Sequence, residues 1–350
     1  MHELYDVIKH RQVRHLVIPG SHDAGMAIIS STYVNGGNSG NTQTQGLQIY
    51  DQLRVGARWF DLRIVTVDTS GFWAAHVTDE SKAGTYGATG QSFDSIVDDI
   101  NKFTAENPGE IIFLSFRYLR RLRSLFDQAP SLWDEDTIKT FYGKLAKLQN
   151  RCPDLLKEVI DDPAGLNGAL GKLNASYLFD KNNGAGCVVP LIYQHEDVIK
   201  PAFNISEGVY SLNHLLPDSN NDHWSNEDIP DAVAVDQAVF LQTVPRDGTS
   251  DDKFSIMQWV VTLNWRDFSA VSIASVAILP MNPALYSNGV NAMSPDHFPN
   301  VILQDYLGYL HPGEGKFPDD LGAEIRVLCI GLNLYMVSQN CIARRPPTRY

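Results

Sequence analysis

Short, almost wholly apolar runs recur along this chain with helix-length amphipathic segments between them, and that alternation restricts the fold more than any other feature. Runs at 14–18, 59–65, 72–75, 111–116, 176–179, 191–193, 257–263 and 301–303 read as strands. Several are continuously apolar, as expected of parallel strands covered on both faces. Between them, 92–106 places Phe93, Ile96, Val97, Ile100 and Phe103 on one helical face and ends at Asn107-Pro108-Gly109. A similar pattern over 136–148 has Asp136 as its predicted N-cap. About eight such alternations predict an α/β fold, a single irregular TIM-like (β/α) barrel over residues 1–350. The Gly-, Asn-, Ser- and Thr-rich stretch 30–46 reads as a long mobile loop over the active-site face, and 206–256 as a surface excursion.

The 350 residues suffice for one large barrel, and 43% hydrophobic with 20% charged residues is an ordinary globular balance. The formal charge of −13 argues against nucleic acid as a partner and against tight electrostatic docking on an anionic membrane, while leaving a transient visit by one face open. The longest apolar stretch, 270–280, carries two serines and is too short for a transmembrane segment, and the start of the sequence shows no signal-peptide pattern. Compartment stays open, since a trimmed secreted chain would look the same as a cytoplasmic one, and two N-x-S triplets begin at Asn174 and Asn204. Cys152, Cys187, Cys329 and Cys341 form no CxxC pair, so a zinc site is not expected; two disulfides and four buried thiols both fit.

Two histidines follow strand-like runs: His22 in Leu16-Val17-Ile18-Pro19-Gly20-Ser21-His22-Asp23-Ala24-Gly25, and His76 in Phe72-Trp73-Ala74-Ala75-His76. Alone, His22 reads most simply as a turn histidine, while His76 reads equally as a packed histidine beside Trp73 or a functional one. Between them, however, Asp61 and Arg63 sit at i, i+2 and share one face of a strand. That pair could be a buried ion pair; it could equally aim a guanidinium at a phosphate. Asp305 ends the run Val301-Ile302-Leu303-Gln304, where it would cap a helix or fix a histidine tautomer. Two imidazoles and a fixed cation are the base, acid and charge that metal-free phosphodiester chemistry requires.

These stretches, together with 56–64, 93–116 and 299–306, resemble the X-domain phosphatidylinositol-specific phospholipase C family, above all its bacterial-type, metal-independent branch. The similarity is good over most of 10–120 and patchy beyond. The resemblance implies a phosphoric diester lyase of lipid metabolism. His22 would be the general base toward the inositol 2-hydroxyl, supported by Asp305, and His76 the general acid toward the diacylglycerol oxygen. Arg63 would neutralise the phosphate, with Asp23 holding its guanidinium and assisting the acid side. Asp61 and Arg117 would bind substrate. No metal and no cofactor are implied, because Arg63 stands where calcium-using relatives place a carboxylate. The partner would be an inositol phospholipid met transiently at a membrane interface, and the enzyme a monomer. Tyr33 and Tyr50 are candidate membrane-contact aromatics, with ordinary loop residues the plainer reading.

Departures stand out. Val77 follows His76 where the family has glycine; 78–90 brings Asp79, Glu80 and Lys82 with no assigned contact; and no match is secure for the tyrosine and aspartate that grip the inositol ring. Two rival readings follow, a metal-dependent glycerophosphodiester phosphodiesterase-like barrel and a catalytically idle barrel that binds lipid head groups or a protein. Convergence of His22, His76 and Arg63 on one site discriminates against the idle barrel.

Overall fold

The computed structural model describes residues 1–33, 37–67, 71–78, 86–122, 131–157, 163–193, 205–244, 246, 252–263, 271–309 and 324–343. Twelve strands form one curled sheet. They are β1 (Ile18–Ser21), β2 (Ser31–Tyr33), β3 (Trp59–Val67), β4 (Phe72–Thr78), β5 (Tyr86–Ser92), β6 (Ile111–Leu122), β7 (Ser131–Leu132), β8 (Cys187–Ile192), β9 (Tyr210–Ser211), β10 (Asp222–His223), β11 (Ile256–Trp259) and β12 (Val301–Gln304). Eight of them, β1, β3, β6, β8, β9, β10, β11 and β12, run parallel, and their spatial order follows their chain order, with β12 pairing back onto β1. This is the expected TIM-like arrangement, with no backbone pairing between β9 and β10 among the described residues. Outside the ring, β4 pairs antiparallel with β3, β5 with β4 and β2 with β5, which makes a flap on the ring's longest parallel pair.

Side-chain alternation explains how the ring is filled. Trp59, Phe113, Ile256, Val301 and Leu303 point inward into one cluster, with Trp59 stacked on Phe254. Phe60, Leu62, Ile112, Leu114, Phe116, Met257 and Ile302 point outward into a second cluster, under the helices. One strand period further on, the inward positions become polar: Asp61 follows Trp59, Ser115 follows Phe113, Gln258 follows Ile256 and Asp305 follows Leu303. An apolar plug below and a charged mouth at the strands' C-terminal ends is the layout expected of such a barrel. Gly20 faces inward, where a Cβ would lie 2.5 Å from Val301 Cγ1, so β12 packs against bare backbone.

Several local expectations change. Residues 176–179 are helical within Ala175–Phe179, because Ala175, Leu178 and Phe179 are buried at i, i+3, i+4 rather than on alternate positions. The first strand starts at Ile18, with Val13–His15 a 3₁₀ turn before it. Helix Glu135–Leu145 is capped by Asp134, whose carboxylate accepts from Thr137 N–H at 2.8 Å, rather than by Asp136. The 206–256 stretch supplies β9, β10 and helix Pro230–Gln242, and its two-residue strands are too short to show a period. Within 30–46, β2 and a short helix Ser39–Thr42, capped by Asn38, are ordered parts of the flap side. Cys152 and Cys187 are joined in a disulfide, while Cys329 is a buried thiol and the side chain of Cys341 lies outside the described part. No helix among the described residues is long and apolar enough to cross a membrane.

Candidate active site

His22 is the first residue past β1, and its backbone N–H donates to Gln304 O at 3.0 Å, which continues the β1–β12 pairing. Its Nδ1 lies 2.7 Å from Asp305 Oδ1, at the exit of β12. The next residue, Asp23, has φ of 39° in the left-handed region, where aspartate is more tolerated than most non-glycine residues. The turn is held by Ala24 N–H donating to Asp61 O at 2.8 Å and by the Thr44 hydroxyl donating to Asp23 O at 3.0 Å. It buries the Asp23 carboxylate at the centre of the site.

Both arms of that carboxylate meet cations or their precursors. Oδ1 is 2.6 Å from Arg63 Nε and Oδ2 is 3.0 Å from His76 Nδ1. These are close charge contacts rather than aligned hydrogen bonds. Arg63 Nη2 lies 3.2 Å from His22 Nε2 and 3.8 Å from Asp61 Oδ2. His76 sits within β4, opposite Ala88 of β5, rather than at a strand end. The valine beside it points to the other face, where Val77 packs with Val65, Ala75 and Leu122. The backbone room that a glycine would give comes instead from Gly87 across the pair, where a Cβ would lie 2.0 Å from His76 O.

Arg117 arrives through a bulge. Leu62 pairs with Phe116 and Arg63 with Tyr118, so Arg117 has no partner on β3 and turns inward. Its Nε lies 3.4 Å from Asp61 Oδ1 and 3.1 Å from the Ser115 hydroxyl, to which it donates, and its Nη1 is paired with Asp222. Asp222 in turn accepts from Gln258 Nε2 at 2.9 Å. All seven residues singled out in the sequence, His22, Asp23, Asp61, Arg63, His76, Arg117 and Asp305, are thus linked in one cluster. Asp222 and Gln258 escaped notice. Gln258 did carry a signal, as an amide side chain inside an apolar run; Asp222 carried none. The side chain of Tyr33 and residues 79–85 lie outside the described part. Tyr50 is at the other end of the barrel, its hydroxyl 2.5 Å from Glu106 and its ring lining a cavity with Arg58 and Glu110.

Four carboxylates, Asp23, Asp61, Asp222 and Asp305, face two guanidiniums here, and the excess is felt by the imidazole between them. Burial alone would push the His22 pKa down, but Asp23 and then Asp305 outweigh it and raise it to about 9. Asp23 is held well below the ordinary carboxylate range, because Arg63 and His22 overcome its own burial. Burial would lower Arg63 and Arg117, yet their carboxylate partners keep both raised. His22, Asp23 and Asp61 offer donor atoms within 4.8 Å of one another, a spacing that could hold a cation. The Arg63 guanidinium lies against every member of that set.

No known family model matches the chain. A curated PI-PLC X-box domain-containing protein of Dictyostelium discoideum is 28% identical over 162 residues, covering 43% of this chain and 20% of the relative. The match therefore spans about a fifth of that protein's length. Among solved structures, the F249X mutant of phosphatidylinositol-specific phospholipase C from Staphylococcus aureus superposes with a TM-score of 0.58 at 16% identity, covering 87% of this chain and 91% of that one. A second structure of the S. aureus enzyme, from work on modulation of its membrane binding, gives 0.52 at 15% identity over 87% and 90% of the two chains. The chain has the fold of these phospholipases C.

Proposed function

We propose that this chain cleaves phosphatidylinositol-type phosphodiesters by attack of the inositol 2-hydroxyl on the adjacent phosphorus, releasing a cyclic inositol phosphate and diacylglycerol. The observation that carries the reading is that two imidazoles and a guanidinium meet on one buried carboxylate, Asp23.

In this reading Asp305 accepts the Nδ1 proton of His22, which leaves Nε2 unprotonated and able to take the proton of the attacking hydroxyl. Arg63, beside that nitrogen, meets the charge that builds on the non-bridging phosphate oxygens. His76 has Nδ1 turned to Asp23, so Nε2 is the atom that delivers a proton to the departing diacylglycerol oxygen. Attack by a neighbouring hydroxyl has a large proximity advantage over attack by water, so the protein supplies only base, acid and charge. Asp61 and Asp222 steady Arg117 as a second cation at the head-group side of the site.

Arg63, seated against the donor set of His22, Asp23 and Asp61, supplies the positive charge that a divalent ion would otherwise bring, which favours a metal-independent reaction. One chain contributes every group named, which fits a monomer working as a single catalytic unit. The substrate would be reached transiently at a lipid surface, as the membrane-binding S. aureus enzyme suggests. The test is incubation with head-group-labelled phosphatidylinositol vesicles in excess chelator. The expected product is the cyclic inositol phosphate; only acyclic phosphate, or no turnover, would overturn the reading.

A further inference from the structure

Thr44 and Gln45 lie in the polar stretch read as a loop, yet neither side chain is exposed at all. Gln45 uses its whole amide. Its Nε2 donates to His22 O at 2.8 Å and to Gln304 O at 3.0 Å, and its Oε1 accepts from Leu307 N–H at 3.0 Å. Thr44 donates its hydroxyl to Asp23 O at 3.0 Å, and its own carbonyl accepts from Tyr306 N–H at 2.7 Å. Two consecutive residues thus grip residues 22 and 23 on one side and 304, 306 and 307 on the other, the backbone on both flanks of the His22–Asp305 contact.

The gripped positions are strained ones. Asp23 and Tyr306 both adopt positive φ, 39° and 47°, without being glycine. Such conformations persist where the surroundings over-determine them. Thr44 bonds to both: through its hydroxyl to the first and through its carbonyl to the second. Each strained residue adjoins one member of the His–Asp pair. Asn282 adds a donor to Asp305 O at 3.1 Å from a third segment.

We infer that Thr44 and Gln45 are positioning residues that lock His22 against Asp305 through their backbones and so set the reactivity of the imidazole. The inference rests on the reading of His22 as base. Neither side chain reaches substrate, since every polar atom of the Gln45 amide is already engaged within the protein. Their action runs through the angle at which His22 meets Asp305, Asp23 and Arg63, the charged groups that face it.

The test is Gln45→Met, which keeps the length of the side chain, removes the amide with both N–H donors and adds no charge near His22. Thr44→Val, a milder loss of one hydroxyl, serves if the first variant folds poorly. Nitrogen-15 NMR would follow the His22 titration and its Nδ1 proton, beside kcat and KM on phosphatidylinositol vesicles. The expected result is a His22 midpoint moved from about 9 toward the ordinary value near 6.5. It comes with faster exchange of the Nδ1 proton and a kcat lower by roughly 10²-fold at nearly constant KM. An unchanged His22 titration and kcat with only a lower Tm would overturn the inference and leave a merely structural role. If the wild-type protein turns over no inositol lipid while the titration still moves in the variant, the clamp stands and the proposed activity falls.

Discussion

His22 Nδ1 lies 2.7 Å from Asp305 Oδ1, a contact between residues 283 positions apart. It exists because β12 closes back onto β1, so the first and last ring strands share one exit corner. The proposed base and its support are therefore brought together by the β1–β12 pairing, and no local segment could assemble them.

That contact, with Asp23, governs pH dependence. Base catalysis needs the neutral imidazole, and the carboxylates raise the His22 pKa to about 9. The limb of the kcat/KM profile that reports the base is expected to rise with pH, with its midpoint at about 9. Asp305→Asn should move that limb to lower pH while reducing kcat. The linkage has the opposite sign for stability. A group favoured as its charged form in the fold stabilises fully below its unfolded value near 6.5. That share is lost as pH rises through about 9, so Tm should fall across the window and fall less in Asp305→Asn. Tm scans and pH–rate profiles on both proteins check the two signs together.

Replacing either imidazole removes one proton-transfer partner. His22→Ala and His76→Ala should each lower kcat by about 10²–10⁴-fold. The double variant should fall well short of the product of the two losses, because the groups act as a unit. Single-turnover rates on vesicle substrate measure this, and a fully multiplicative double variant would count against coupling through Asp23.

Arg63→Lys keeps the charge but loses the planar fork that meets Asp23 through Nε and His22 through Nη2. A loss of roughly 10²–10³-fold in kcat is expected, the scale seen when one stabilising donor is removed. Near wild-type turnover in this variant would remove the phosphate-clamp role from Arg63.

Chelation provides a separate check. With a guanidinium against His22, Asp23 and Asp61, excess chelator should leave the initial rate unchanged within experimental error. A rate abolished by chelator and restored by a divalent ion would revive the metal-dependent glycerophosphodiesterase-like reading.

Gly25 tests how tightly the flap is seated. A Cβ there would lie 2.2 Å from Ala74 Cβ, two residues before His76. Gly25→Ala should destabilise by about 1–3 kcal/mol through overpacking. It should also lower kcat disproportionately, by easing β4 and its imidazole away from Asp23. Denaturant unfolding and kcat measured on the same preparation separate the two effects.

What the sequence disclosed follows from the physics of each residue. Asp61 and Arg63 were legible because a two-residue spacing on a strand fixes a shared face. His22 and Asp305 were legible because each closely follows an apolar run rich in β-branched residues, a composition that favours strand. Asp222 was not, because β10 is two residues long and its neighbours in sequence are polar. Gln45 was hidden for the opposite reason: its stretch has the composition of a mobile loop, and only tertiary contacts reveal that its amide is buried. The helix over Ala175–Phe179 shows the same limit, since a run of four residues does not distinguish a period of two from one of 3.6.

The two proposed proton carriers also differ in what anchors them. His22 stands at the joint where the ring closes, whereas His76 rides on β4, an antiparallel addition that the eight parallel strands do not need for closure. Evolution or engineering can therefore alter the flap without rebuilding the corner proposed to activate the nucleophile. Loss of the flap imidazole would then be felt in proportion to the basicity of the departing alcohol. Esters of acidic phenols, which leave unaided, would still be cleaved at close to the full rate, and natural glycerolipids far more slowly.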